Sequence, residues 1–138
     1  MRVERIDAWP IGSTITLIAR LHSRDGSGAN TGQEKEGKFI TAADVATITG
    51  KVYDRSSSTP DTSIGTLTIT SASVVAAVTS GYTFRDADKG PYNWVYDMTT
   101  ELISTAGRIY RVAFDAALTT GTVLEPWAFE AVAKDGSP

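Results

Sequence analysis

The strongest constraint on the fold is a pattern of alternating side chains between positions 92 and 133. Three runs there, YNWVYDM, RIYRVAFDA and EPWAFEAVA, alternate large apolar and polar residues with a period of two. That period is typical of β-strands with one buried face. We expect the three strands to share one aromatic-rich face, which needs a second sheet to cover it. The residues predicted on this face are Tyr92, Trp94, Tyr96, Met98, Tyr110, Val112, Phe114, Trp127, Phe129 and Ala131.

Further strands are predicted upstream, at residues 14–21, 45–54 and 65–70, because each range shows the same alternation. Residues 74–78 fit either a strand or a short helical segment, since their alanines leave the period ambiguous. The polar range 23–38 carries four glycines and predicts a long exposed loop. Gly121 lies in a short turn that predicts a hairpin between the last two strands.

These elements predict an all-β protein, an immunoglobulin-like antiparallel β-sandwich of about seven strands with an N-terminal arm. The length of 138 residues and the hydrophobic fraction of 41% suit one core. We therefore predict an arm at residues 1–12 and a single sandwich domain at residues 13–138.

The predicted arm is apolar although Pro10 and Gly12 interrupt it. One interpretation is a short edge strand or strap folded on its own domain. The other is an arm that docks on a neighbouring subunit, with a tryptophan as its anchor. The second interpretation predicts that a chain lacking residues 1–12 still folds. It also predicts a protein interface formed by Val3, Ile6, Trp9 and Ile11.

Charge and composition argue against several classes of protein. The net charge of −3 provides no basic surface for nucleic acid, and no cysteine is present for a disulfide or a thiolate site. The apolar runs are far shorter than a membrane span, and the first residues are too charged for a signal peptide. We expect no contact with nucleic acid or membrane, and a protein that is made in the cytoplasm and is either used there or assembled into a larger structure there.

Residues that could carry chemistry do not form a recognisable motif. His22 lies beside Ser23 and Asp25, but a catalytic triad needs side chains from separate segments, so a solvated histidine is expected. Asp86 and Asp88 suggest a calcium loop, yet the remaining ligands of that motif are missing and a charged turn is the alternative.

The acidic residues of the aromatic strands have a structural explanation. We expect Asp97 and Asp115 to pair across the sheet with Arg108 or Arg111. The sequence thus predicts no catalytic residue, no metal ligand and no cofactor.

The order of several runs resembles a known family. The runs are ADVATITGKVYD, GTLTIT, YNWVYDM, GRIYRVAF and WAFEAV. They resemble small immunoglobulin-like proteins encoded among the structural genes of tailed bacteriophages and prophages. The resemblance covers about residues 14–133 and implies a virion component at the capsid surface, neck or tail. It carries over no catalytic residue.

The expected function is therefore that of a non-enzymatic virion structural protein, such as a capsid decoration or cement protein or a neck or tail accessory. Its expected partners are other virion proteins, and we expect a homo-oligomer within the assembly. The alternative is a β-sandwich module that binds carbohydrate or a cell surface.

Overall fold

A computed structural model describes residues 2–19, 21–23, 38–40, 42–70, 74–79, 92–119, 121 and 123–135. The regular elements among these residues are strands and one 3-10 turn, Ala42–Asp44, so the all-β prediction is confirmed. Most of the predicted loop at 23–38 and the pair Asp86 and Asp88 lie outside the described residues. The strands are β1 (Arg2–Arg5), β2 (Trp9–Ile11), β3 (Thr14–Ala19), β4 (His22–Ser23), β5 (Lys38–Phe39), β6 (Val45–Asp54), β7 (Ser63–Thr68), β8 (Val74–Thr79), β9 (Tyr92–Thr99), β10 (Ile109–Leu118) and β11 (Trp127–Asp135).

The strands are arranged in two main sheets with a sandwich-like arrangement, consistent with the predicted immunoglobulin-like class. The large sheet has the order β1-β11-β10-β6-β7, with β2 also paired to β11. The small sheet has the order β3-β9-β8, and β4 and β5 form a separate two-stranded ribbon. The antiparallel prediction holds for most pairs but not for the N-terminus, because β1 and β2 both run parallel to β11. The large sheet is therefore mixed.

The aromatic core lies between the two sheets. Trp94 of the small sheet meets Phe114 and Trp127 of the large sheet, with ring centroids 4.9 and 5.4 Å apart. The predicted burial of four residues is confirmed, with exposed fractions of 0–3% for Trp94, Tyr110, Val112 and Phe129. The expectation that all three aromatic strands share one face is wrong, since β9 belongs to the opposite sheet. The two layers of a sandwich show the same alternation, so the period identifies the buried face but not the sheet.

One glycine makes room for the central aromatic ring. Gly50 on β6 is the partner of Phe114 on β10 and of Leu67 on β7. A Cβ atom at Gly50 would lie 3.1 Å from the ring atom Cε1 of Phe114 and 2.9 Å from Cδ1 of Ile69. The missing side chain therefore allows the ring and its neighbours to pack closely over the middle of the sheet.

Two local predictions are settled by the backbone. The ambiguous residues after β7 form strand β8 rather than a helix. The predicted hairpin between β10 and β11 is confirmed by their antiparallel pairing. Gly121 has a φ of +92° and donates its backbone N–H to the carbonyl of Leu118 at 2.9 Å.

Tyr96 provides a test of packing at the edge of this core. Burial raises the pKa of its hydroxyl above the usual value of 10.0. Above that pH the unfolded chain releases the proton while the folded chain retains it, so stability should fall as the pH rises through the raised pKa. Denaturant unfolding of the wild type and of Tyr96→Phe is expected to diverge above about pH 10. Identical pH profiles would contradict this assignment.

Candidate functional site

The N-terminal strands form one edge of the large sheet. Strand β1 runs alongside β11, with Val3 opposite Ala128 and Arg5 opposite Glu130. On the part of the chain that the structure describes, no strand pairs with the other side of β1. Val3 is 41% exposed. This strand is an open edge with an apolar side chain on its surface.

Trp9 fixes these strands to the domain. Its side chain is 0% exposed, and its indole Nε1 donates a hydrogen bond to the backbone carbonyl of Tyr110 at 2.9 Å. Ile6 and Ile11 are partly buried against the same core. In the chain itself the predicted arm is therefore an edge strap, the first of the two interpretations. The interface role of these residues stays a prediction, and Val3 is the member with the most exposed surface.

The corner after β2 is held by a buried threonine. The Oγ1 atom of Thr100 accepts from the backbone N–H of Gly12 at 3.0 Å and of Ser13 at 3.3 Å. The same hydroxyl lies within donor distance of the carbonyls of Pro10, at 2.8 Å, and Ser13, at 3.0 Å. Gly12 has a φ of +78°, a conformation that glycine adopts without strain. The strap is thus fixed at its C-terminal end as well as at Trp9.

Two ion pairs join strands of the large sheet, but they are not the predicted ones. Arg111 donates from Nε to Glu130 at 2.8 Å, and Arg108 donates from Nε to Asp54 at 2.8 Å. Arg111 and Glu130 are direct partners in the β10–β11 register, which explains their pairing. Cross-strand pairing therefore occurs with acids other than Asp97 and Asp115.

The two predicted acids have different surroundings. Asp97 lies on the small sheet and accepts a hydrogen bond from the hydroxyl of Thr16 at 2.6 Å. Asp115 is exposed on the outer face of the large sheet, opposite Thr49. The prediction that they pair with Arg108 or Arg111 is wrong, because the sheet assignment and register place other carboxylates beside those arginines.

A groove of about 300 Å³ lies on the outer face of the large sheet. Its floor includes Ala113, an outward position between the buried residues Val112 and Phe114. Charged and polar side chains surround that small residue. They are Lys51, Tyr53, Arg55, Asp61, Arg111 and Asp115.

The sequence pattern does not predict this groove. Its signal in the sequence is the set of polar residues at the outward positions of the strands. The groove becomes visible only when the register brings Lys51 opposite Ala113.

Other candidate sites receive no support from the described chain. His22 lies in the two-residue strand β4. Among the described residues no three His, Cys, Asp or Glu side chains come together as a metal site. A search for membrane-spanning helices in the same residues found no segment of sufficient length and apolarity.

Comparison with known proteins gives no relative. No protein-family model matches the chain, and no curated protein or solved structure matches it either. The class of the protein is therefore defined by the fold alone: an all-β protein with mixed sheets in a sandwich-like arrangement.

Proposed function

We propose that this protein is a non-enzymatic structural component of a tailed-bacteriophage virion that acts through protein–protein contacts. The capsid surface, the neck and the tail are the positions implied by the sequence resemblance. Its partners are other virion proteins, with further copies of the chain in the same assembly. The observation that carries the proposal is the open edge at β1.

An edge strand offers backbone N–H and C=O groups to an added strand, and exposed apolar side chains beside it add contact area. In β1 the exposed Val3 supplies the apolar contact, and the exposed Arg5 supplies a charge that can fix the register of a partner. The same strand is paired to β11 on its inner side over four residues.

The edge is also preorganised. Trp9 and the Thr100 contacts fix the strap close to β1, so that a partner meets a strand that is already ordered. Ordering a flexible arm on binding would cost conformational entropy, which a fixed strand has already lost on folding. Binding to this ordered edge therefore costs less conformational entropy, which favours a stable complex with a partner.

The test uses particles released from the cells that encode the protein. We expect the chain to co-purify with the particles at a fixed copy ratio, measured by quantitative mass spectrometry. Val3→Asp should lower that ratio at least about tenfold, because a buried unpaired carboxylate weakens an interface by several kcal/mol.

Val123→Asp is the matched control. Val123 is 66% exposed and forms an isolated bridge with Ala117 near the C-terminal end of β10. The control should retain normal incorporation. Particles that lack the wild-type chain would contradict the virion assignment, and equal incorporation of both variants would contradict the role of β1.

A further inference from the structure

The groove on the outer face of the large sheet has the chemistry of a ligand site, independently of the β1 edge. The alternation of β10 directs Ala113 outwards, where its methyl group leaves a depression. Lys51 is its direct partner on β6, while Arg111 and Asp115 lie two residues away on either side along β10. Donors and an acceptor therefore surround one small floor residue.

Several polar side chains of the groove have no partner among the residues that the structure describes. The side chains of Lys51, Tyr53 and Asp115 make no hydrogen bond or ion pair with any part of the chain that the structure describes. Each remains available to a ligand: an ammonium group, a phenol hydroxyl and a carboxylate.

The two arginines of the groove are held in place. Arg111 donates a hydrogen bond from Nε to Glu130. Arg55 donates from Nη1 to the carboxylate of Asp61 at 2.6 Å and to the carbonyl of Pro60 at 3.1 Å. A guanidinium group has five N–H donors, so each arginine retains donors for a ligand. The groove thus combines fixed donors with a free ammonium group and a free carboxylate.

We propose that this groove binds an acidic saccharide, a sugar ring that carries a carboxylate. The ligand carboxylate would accept hydrogen bonds from Lys51 and Arg111, and its ring hydroxyls would donate to Asp115. Tyr53 adds an aromatic surface for the apolar face of the ring. The volume of about 300 Å³ is at the lower end of ligand pockets and suits one or two sugar units.

Competing ligands fit less well. A nucleic acid would bring its phosphates towards Asp61 and Asp115 on a protein whose net charge is −3. A small inorganic anion would satisfy Lys51 but would leave Asp115 without a donor. A neutral sugar would leave the cationic groups without a charged acceptor. An acidic sugar satisfies both kinds of group.

The test is a titration of the full chain, labelled for amide NMR, with oligogalacturonate as the probe. We expect saturable shifts at Lys51, Tyr53 and Ala113. A neutral oligogalactose and sodium sulfate at equal ionic strength should each give less than about a tenth of the response.

Three variants sharpen the test. Ala113→Leu fills the floor of the groove and should weaken binding at least about tenfold, because the larger side chain occupies the space of the ligand. Lys51→Ala should weaken binding to a similar degree, because it removes a charged contact of about 1.4 kcal/mol or more. Thr47→Leu is the control, since Thr47 is exposed on the same face of β6 but outside the groove. It should bind as the wild type does.

The alternative results are distinct. An equal response to sulfate identifies a general anion patch and overturns the proposal, as does an equal response to the neutral sugar. Binding that survives Ala113→Leu places the ligand elsewhere and also overturns it. Because the titration needs no virion partner, its result is independent of the incorporation test.

Discussion

Replacement of Phe114 by alanine is expected to lower the free energy of unfolding by about 3–5 kcal/mol, the usual range for removing a large buried ring. Phe114 is 1% exposed and contacts rings from both sheets, including Trp94 at 4.9 Å and Trp127 at 5.8 Å. Its ring also lies close to the backbone of Gly50. Because Gly50 has no side chain to move, it cannot fill the cavity that Phe114→Ala would leave. The measurement is chemical denaturation followed by tryptophan fluorescence and circular dichroism.

The control for Phe114 is its exposed neighbour on the same strand. Asp115→Ala changes an exposed side chain that has no partner in the described part of the chain, and it should alter stability by less than about 0.5 kcal/mol. A loss below about 1 kcal/mol for Phe114→Ala would contradict the packing of the two sheets around this ring. The expected loss of about 3–5 kcal/mol is a large fraction of a typical domain's stability of about 5–15 kcal/mol. The Phe114→Ala variant should therefore also unfold at a markedly lower temperature.

The burial of the core was predictable from the sequence because it depends on local alternation. Trp94, Val112 and Phe129 lie at inward positions of strands with a clear period of two, and all are buried. The assignment of strands to sheets was not predictable in the same way. That assignment depends on which distant segments pair with each other. Strands in both layers of a sandwich show the same alternation, so the pattern does not distinguish the two sheets.

The N-terminal edge was only partly predictable. The sequence shows that this segment is apolar, but Pro10 and Gly12 interrupt the alternation, so the pattern does not predict strands there. The pairing of Trp9 with Ala133 joins opposite ends of the chain, and no local pattern encodes it. The groove was missed for a similar physical reason, since its shape depends on the β6–β10 register that places Lys51 beside Ala113.

The position of Trp9 changes the expected result of shortening the N-terminus. The sequence predicted that loss of residues 1–12 would leave a folded sandwich. In the structure Trp9 is fully buried and donates to the carbonyl of Tyr110, while β1 and β2 cover one side of β11. A truncated chain should therefore lose core packing and expose β11 as a new edge.

Trp9→Ala isolates the anchor, and we expect it to cost about 3–5 kcal/mol of unfolding free energy. Trp9→Phe retains an aromatic ring but loses the indole donor, so its cost should be smaller, about 1–3 kcal/mol. Val3→Ala removes only two methyl groups from an exposed side chain and should change stability by less than about 1 kcal/mol.

Denaturation at several protein concentrations distinguishes the two interpretations of the strap. A tryptophan buried in its own chain gives a transition independent of concentration, whereas one buried in a neighbour gives a transition that shifts upward as concentration rises. A small cost for Trp9→Ala in the isolated chain, together with such a shift, would contradict the self-strap and support docking of the arm on a neighbouring subunit.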